Sequence, residues 1–236
     1  MTRPLLPLAL AAAIAFPALA AAAESPTPPR IVVSGEGAAT VAPDLAVLTL
    51  SVMREAKTAR AALDANNDAM AAVIAAMKSA GIKDRDLQTA GIQINPRYNY
   101  TNKPDGGQEA ELIAYQVTNT LSVRVRDVDK TGEILDKAVS LGVNQGGGIV
   151  FTNDNPAATV TEARKKAVAD AMAKAKTLAE AAGVSIGRVI EITDQNIAPP
   201  PIPINAKAFD AAVGAAPVQA GENAYNVQVT VTFELK

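Results

Sequence analysis

The residue types that carry most enzyme chemistry are missing from this chain. It has 236 residues, with no histidine and no cysteine among them. Without imidazole or thiol groups, the chain has no serine or cysteine triad of the usual kind, no histidine-bearing zinc site and no thiol redox centre. Catalysis would have to rest on carboxylate, lysine, tyrosine or hydroxyl groups.

Two pairs of aspartates have a spacing that general acid–base catalysis could use. Asp84 and Asp86 lie between a predicted helix and a predicted strand, and Asp127 and Asp129 lie between a strand and a helix. Aspartate at such a junction commonly caps a helix or closes a turn. We interpret both pairs as caps and turns, with acid–base chemistry as the alternative.

Two glycine-rich stretches match nucleotide-binding loops only in part. Gly35 and Gly37 form a Gly-x-Gly, but Thr40 occupies the place of the third glycine and no helix is predicted to follow. Residues 144–148 end in three glycines, without the Gly-Lys-Ser/Thr that a phosphate loop requires. We predict turns and close strand packing at both places. The sequence indicates no catalytic, cofactor or metal site.

One polar residue interrupts a predicted apolar face. On the strand predicted for residues 111–126, alternate residues are apolar except for Asn119. A buried amide group without hydrogen-bond partners costs about 1–3 kcal/mol. We interpret Asn119 as a β-bulge or as a satisfied buried amide that fixes the strand register, with a ligand contact as the alternative.

Hydrophobic periodicity predicts strands alternating with helices. The predicted helices end at three glycines, each of which suits a left-handed C-terminal cap. These are Gly81, Gly142 and Gly183. The predicted strands cover residues 30–41, 45–53, 87–95, 111–126, 148–152, 188–193 and 225–235, and the predicted helices cover 57–80, 127–141 and 156–182.

The predicted elements fall into two similar groups. A strand, a long helix and two strands over 45–126 recur over 148–235. This recurrence indicates either two related βαββ subdomains or the ordinary layering of any α/β chain. Both interpretations give an α+β fold, with two-layer βαββ-type units whose mixed or antiparallel sheets are covered by long helices. The domain would span residues 30–236, with subdomains at about 30–126 and 143–236 joined by the helix 127–141.

The chain begins with the layout of a secretory signal peptide, which we assign to residues 1–23. Arg3 precedes an apolar run that ends in small residues suited to cleavage. An uncleaved membrane anchor is the alternative, but Pro7 and Pro17 interrupt the run and alanine supplies much of its hydrophobicity. We therefore expect cleavage, a short linker at 24–29, a periplasmic location and no membrane span in the processed protein.

A proline- and alanine-rich segment, residues 198–220, precedes the last predicted strand. Structureless segments longer than about 15 residues are usually functional or disordered. The stiff, partly apolar start of this one fits a subunit-docking arm, and a mobile hairpin tip fits the segment equally well. The candidate contact residues are Pro199, Pro200, Pro201, Ile202, Ile204 and Phe209.

Several short motifs follow one another in a specific order along residues 31–236. They include Val33-Ser34-Gly35-Glu36-Gly37, Pro43-Asp44, Asp86-Leu87-Gln88-Thr89, Pro96-Arg97-Tyr98, Tyr115-Gln116-Val117-Thr118-Asn119, Val125-Arg126-Asp127, Phe151-Thr152 and Gly221-Glu222. In this order and spacing the chain resembles the SIMPL-domain family, specifically its exported bacterial branch of periplasmic immunogenic and oxidative-stress-defence proteins. The resemblance implies an envelope protein with a stress-related or immunogenic role and without established catalytic residues.

We therefore expect a non-enzymatic envelope protein that forms a homo-oligomer through exposed strand edges and the 198–220 segment. The alternative is a periplasmic module that binds a small ligand near Asn119, and a carboxylate- or lysine-dependent hydrolase ranks below both. The formal net charge of −2 gives no electrostatic reason to bind nucleic acid. An envelope partner of unknown identity stays open.

Overall fold

The computed structural model describes residues 28–104, 106–194, 202–204 and 218–236. The predicted leader, residues 1–23, lies outside the described residues, as does most of the predicted linker. In order, the strands and α-helices are β1 (Arg30–Val41), β2 (Leu45–Ala56), α1 (Ala59–Ser79), β3 (Leu87–Asn102), β4 (Gln108–Val125), α2 (Thr131–Ser140), β5 (Gln145–Thr152), α3 (Ala157–Ala181), β6 (Ile186–Asp194), β7 (Ile202–Ile204) and β8 (Glu222–Leu235).

The described strands form two antiparallel sheets. One has the order β3-β4-β2-β5, and the other has the order β1-β8-β6, with β7 paired to the start of β8. The predicted α+β class with antiparallel sheets and long helices is confirmed. The largest difference in length concerns β3, which continues to Asn102, beyond the predicted end at residue 95.

The first and the last strand of the described chain are neighbours. β1 pairs with β8 along its whole length, with Arg30 opposite Glu234 and Val41 opposite Asn223. β5, which directly precedes α3, pairs instead with β2 in the other sheet. The predicted division into subdomains 30–126 and 143–236 stays a prediction. Both of these pairings cross it, since β1 of the first part pairs with β8 of the second, and β5 of the second part pairs with β2 of the first.

α1 covers the core of the first sheet. Its N-terminus is capped by Thr58, whose Oγ1 accepts a hydrogen bond from the backbone N–H of Ala61 at 3.2 Å. One face of α1 then packs onto β2 and β4, where a fully buried aliphatic side chain contributes about 1.5–3 kcal/mol relative to exposure. The core includes Leu48, Leu50, Val52, Met70, Val73, Met77, Leu121, Val123 and Val125.

α3 packs against β1 backbone to backbone. A Cβ atom added at Gly35 would overlap the carbonyl oxygen of Ala167, and one added at Gly37 would overlap that of Ala163. The helix presents small buried residues at every fourth position toward this strand. These are Ala163, Ala167, Ala171 and Ala175. The close packing predicted for the Gly-x-Gly is confirmed, and no larger residue fits without moving the helix.

Asn153 connects the two sheets. Its Nδ2 donates to the carbonyl oxygen of Ala42 at 2.7 Å, on the link between β1 and β2. Its Oδ1 accepts from Asn223 Nδ2 at 2.9 Å and from the Tyr225 hydroxyl at 3.0 Å, both on β8. The side chain of Asn153, directly after β5, therefore connects β8 with the segment between β1 and β2.

Candidate functional site

β3 and β4 continue past the helical layer as a two-stranded arm. From Gln88 to its end, β3 is exposed, and so is β4 from Gln108 to Ile113. We call residues 91–113 the hairpin arm; Asp105 within it lies outside the described residues. A two-stranded ribbon with nothing packed on it is only marginally stable in water, so its side chains indicate what it contacts.

The hairpin arm is amphipathic. Alternate residues of a strand share a face, so Ile92, Ile94, Tyr98 and Tyr100 of β3 form one apolar stripe. Their exposed fractions are 52%, 46%, 45% and 63%, respectively. The intervening residues form a polar face: Gln93, Asn95, Arg97, Asn99 and Thr101. An exposed apolar stripe rimmed by polar residues is typical of an interaction surface.

The apolar stripe lies on the side of the sheet that α1 covers elsewhere. Ile92 is opposite Asn119 and Ile94 is opposite Val117, and these two β4 residues are buried beneath the helix layer. α1 covers β2 and β4 but reaches only the start of β3, where Leu87 packs against the core. The stripe therefore continues the inner face of the sheet into solvent.

The second sheet repeats this arrangement on β6. Val189 is opposite Phe233 and Ile192 is opposite Val231, so both lie on the face that α3 covers elsewhere. They are nevertheless 45% and 54% exposed. A groove of about 580 Å³ separates β6 from α3 and is lined by Val189, Phe233 and Met172, among others.

The free edge of β1 is closed by side chains of α3. Unpaired backbone groups on an edge strand otherwise offer a template for pairing with another chain. The three hydrogen bonds run from Glu36 N–H to Asp170 Oδ2 at 2.8 Å, from Lys166 Nζ to the Ala38 carbonyl at 3.1 Å, and from Lys174 Nζ to the Ser34 carbonyl at 3.3 Å. The hydrogen bond from Lys174 also lowers the pKa of Asp170. Self-association through this particular edge is therefore disfavoured.

Asn119 is 6% exposed and lies beside a second buried amide, Asn66 of α1. Asn66 Nδ2 donates to the carbonyl oxygens of Val52 and Val117, at 2.8 and 3.1 Å. The register of β2 against β4 runs through Asn119 without a shift, and the nearest bulge lies on β3 between Thr89 and Gly91, which pair with Leu121 and Thr120. The Oδ1 atoms of Asn66 and Asn119 are both buried and accept no hydrogen bond from the described residues.

The sequence analysis did not single out Asn66, although this residue interrupts the apolar stripe of α1. It is one of the buried positions of α1, which recur at helical spacing and are otherwise occupied by Ala62, Met70, Val73 and Met77. A single amide in such an apolar stripe is the helical counterpart of the interruption at Asn119. The two interruptions face each other across the interface between helix and sheet.

The predicted contact segment is described only in part. Ile202–Ile204 form β7, with Ile202 opposite Ala224 and Ile204 opposite Glu222 of β8. The other candidate contact residues lie outside the described residues: Pro199, Pro200, Pro201 and Phe209. A contact role for this segment stays a prediction.

Of the four aspartates in the two pairs, Asp84, Asp86 and Asp127 form ion pairs, and none provides the side-chain cap that we predicted. Asp86 is buried and its two carboxylate oxygens accept hydrogen bonds from Arg126, at 3.1 and 3.3 Å. Asp84 pairs with Lys78 at 2.8 Å. Shortly after the end of β4, Asp127 pairs with Lys130 at 3.0 Å. Neither short 3-10 helix at these junctions has a side-chain cap.

Arg126 extends the first of these ion pairs into a cluster. Its Nη1 donates to Asp154 Oδ2 at 2.7 Å, and Arg124 Nη2 donates to Asp154 Oδ1 at 2.6 Å. The hydrogen bond from Arg126 holds the pKa of Asp154 below its ordinary value. Carboxylates held ionised in this way act as structural partners, and they do not suit proton transfer near neutral pH.

The described parts of the chain hold no group of three or more acidic residues placed to bind a metal ion. Among the helices described, none is both long enough and apolar enough to cross a membrane.

The sequence that forms these two sheets matches a known protein family. The model of the SIMPL family, described as a protein of unknown function (DUF541), matches residues 31–233, and the chain belongs to that family. Among its relatives, the 26 kDa periplasmic immunogenic proteins of Brucella melitensis and Brucella abortus are each 52% identical over 233 residues, which cover 96% of this chain and 93% of theirs.

A more distant relative is the uncharacterized protein YggE of Escherichia coli strain K12, which is 31% identical over 238 residues, covering 97% of this chain and 93% of its own. The family predicted from the motifs is confirmed. The names of the Brucella relatives agree with the periplasmic location that the leader predicts. The chain is thus an envelope protein of a family whose molecular function is not defined.

Proposed function

We propose that this is a non-enzymatic periplasmic protein that assembles with further copies of itself through the hairpin arm. The observation that carries the proposal is the bare apolar stripe of Ile92, Ile94, Tyr98 and Tyr100. Water exposure of such a stripe is unfavourable by roughly 25 cal/mol for each Å² of apolar surface. Contact with another protein surface removes that cost.

The size of the arm suits an interface between protein subunits. At about 3.3 Å per residue, the segment of β3 from Gly91 to Asn102 spans roughly 40 Å. A standard interface buries about 800 Å² on each partner. An amphipathic ribbon of this length can supply that area with its apolar face while its polar face stays in water.

A second copy of the chain is the occupant that fits best. Each copy carries, besides its arm, the uncovered apolar residues Val189 and Ile192 on β6. Two edge strands with bare apolar faces can extend one another's sheets by antiparallel pairing. Three charged residues of the arm are already paired within one chain, since Lys103 contacts Glu109 at 3.2 Å and Arg97 contacts Glu55 at 3.0 Å. A highly charged partner is therefore not required.

The experiment compares the oligomeric mass of three forms of the protein by light scattering. The test variant carries Ile92→Thr, Ile94→Thr, Tyr98→Thr and Tyr100→Thr, which keep a residue of high β-propensity at each position. The control carries Gln93→Thr, Asn95→Thr and Asn99→Thr on the polar face. We expect a multiple of the single-chain mass for the wild type and the control, and a lower mass for the test variant. A wild-type mass equal to one chain contradicts the proposal.

Deletion of residues 198–217, with a short glycine–serine linker in their place, tests the other predicted contact segment in the same assay. If only this deletion lowers the mass, the contact lies there and not on the hairpin arm. We further propose a role in envelope or oxidative stress, supported by the family resemblance. Survival of a deletion strain under peroxide, with and without the arm variant, tests that role separately from assembly.

A second candidate function is the binding of a small apolar ligand. It is supported by the groove between α3 and β6 and by a second groove of about 540 Å³ on the other flank of α3, lined in part by Val32 and Leu178. Neither groove is lined by Asn119, where the sequence placed the ligand. A rise in melting temperature with a long-chain fatty acid as probe, lost in Met172→Lys, supports this function; no rise counts against it.

A further inference from the structure

The two buried amides of the first sheet share one small compartment. On the face beneath α1, Val52 is opposite Asn119, and the next pair on the same face is Arg54 opposite Val117. Asn66 Nδ2 binds the carbonyl oxygens of Val52 and Val117, one from each of these pairs. The amide group of Asn66 therefore lies over the square formed by these four residues, with Asn119 at one corner.

The orientation of the Asn66 amide is fixed by its own hydrogen bonds. Both N–H groups of Nδ2 are used, so exchanging the nitrogen and oxygen would place an oxygen against two carbonyl oxygens. Asn66 Oδ1 must therefore face the remaining space of the compartment. Asn66 is fully buried, and bulk water cannot serve as its donor.

No neighbouring side chain supplies the missing donor. The side chains of Val52 and Val117 are apolar. The Arg54 guanidinium is directed away, and its Nη1 donates to the carbonyl oxygens of Met53 and Gly142 at 2.9 and 3.3 Å. Asn119 also presents a buried oxygen that accepts no hydrogen bond. Two acceptors thus face a compartment without a donor, which carries the full cost of desolvating both.

We propose that a single water molecule is bound between Asn66 Oδ1 and Asn119 Oδ1 and donates one hydrogen bond to each. Water is the smallest ligand with two donors, and buried waters typically bind groups that the protein leaves unpaired. A cation fits less well, because Ca²⁺ takes six or more oxygen ligands and the positively charged Arg54 occupies a corner of the same square. The bound water links α1 to β4, and it explains why an amide interrupts the apolar row of β4.

A crystal structure of the protein at about 1.2 Å resolution or better tests the site directly. We expect a density peak between the two oxygens, at about 2.7–3.0 Å from each. Nuclear Overhauser contacts from water to the side-chain amide protons of Asn66 and Asn119 are the matching expectation in solution. The proposal is overturned if Asn119 is turned to donate directly from Nδ2 to Asn66 Oδ1, with no density between them.

A double-mutant cycle adds an energetic test. Asn119→Leu removes one acceptor and should lower the equilibrium constant for folding about tenfold, whereas Asn66→Leu also removes the two hydrogen bonds donated by Nδ2 and should lower it further. If both residues bind the same water, the double variant loses clearly less than the product of the two single effects. Thr118→Val, on the opposite face of β4, is the control and should change little. If the two single effects on the folding equilibrium constant multiply fully in the double variant, the shared water is overturned. If a variant does not fold, the electron density and the water contacts of the wild type decide whether the water is present.

Discussion

The Tyr225 hydroxyl donates a hydrogen bond to Asn153 Oδ1 over 3.0 Å, and this bond joins two sheets that share no strand. Tyr225 is 7% exposed and belongs to β8, whereas Asn153 directly follows β5. Burial raises the pKa of the tyrosine hydroxyl, so it stays a donor at any pH at which the protein is expected to work. The relative position of the sheets thus depends on a few polar contacts at one junction.

Replacing Asn153 should therefore weaken the whole fold. Asn153→Leu removes the acceptor that Asn223 and Tyr225 share, together with the hydrogen bond to the Ala42 carbonyl oxygen. We expect the free energy of unfolding to fall by about 2–4 kcal/mol, measured by urea denaturation. Tyr225→Phe removes one of these bonds and should cost about 1 kcal/mol. An unchanged urea midpoint for Asn153→Leu would show that the junction does not support the fold.

Gly35→Ala should destabilise the protein strongly. The added methyl group would overlap the backbone of α3 at Ala167, and backbone cannot move aside as a flexible side chain can. We expect a loss of about 2–4 kcal/mol or failure to fold. Gly91→Ala is the matched control, because no atom lies within 4 Å of its added Cβ. Equal effects of the two substitutions on the melting temperature would contradict the close approach of α3 to β1.

Stability should fall in acid partly through Asp154. The hydrogen bond from Arg126 lowers the pKa of Asp154 in the folded state below its ordinary value of 3.8. The unfolded chain therefore binds a proton at a higher pH than the folded chain does. The contribution of Asp154 is complete above the ordinary pKa and is lost as the pH falls through the lowered one.

Urea midpoints measured between about pH 6 and pH 2 test this assignment. The difference in midpoint between the wild type and Asp154→Asn should shrink as the pH falls. Asn67→Ala, on the exposed face of α1, changes no titratable group and provides the control. A constant difference over the whole range would mean that the pKa of Asp154 is the same in the folded and the unfolded chain.

Local patterns in the sequence located most of the elements but not their partners. The alternation from Leu121 to Val125 and the glycine at the end of each helix are local signals, and they gave the strands and helices of the core. The pairing of β1 with β8 joins residues almost a whole chain apart. Nothing local distinguishes β8 from β2 as the neighbour of β1, so the order of strands could not be derived.

The hairpin arm shows a second limit of sequence analysis. The alternation of Ile92 and Ile94 continues through Tyr98 and Tyr100, but Pro96 and the polar residues between them suggested that the strand had ended. Proline is tolerated on an edge strand, where its missing N–H breaks no ladder hydrogen bond, and β3 is such a strand. Asn119, by contrast, was recognised because it broke a pattern, whereas Asn66 was hidden in an alanine-rich helix.

The pairing of β1 with β8 has a consequence for how the protein is made. A polypeptide is synthesised from its amino end, so Arg30–Val41 emerges long before Glu222–Leu235, the only described strand with which it pairs. β8 is the central strand of its sheet, so until it has been synthesised β1, β6 and β7 have no described strand to pair with. A product truncated before Glu222 therefore cannot form the second sheet.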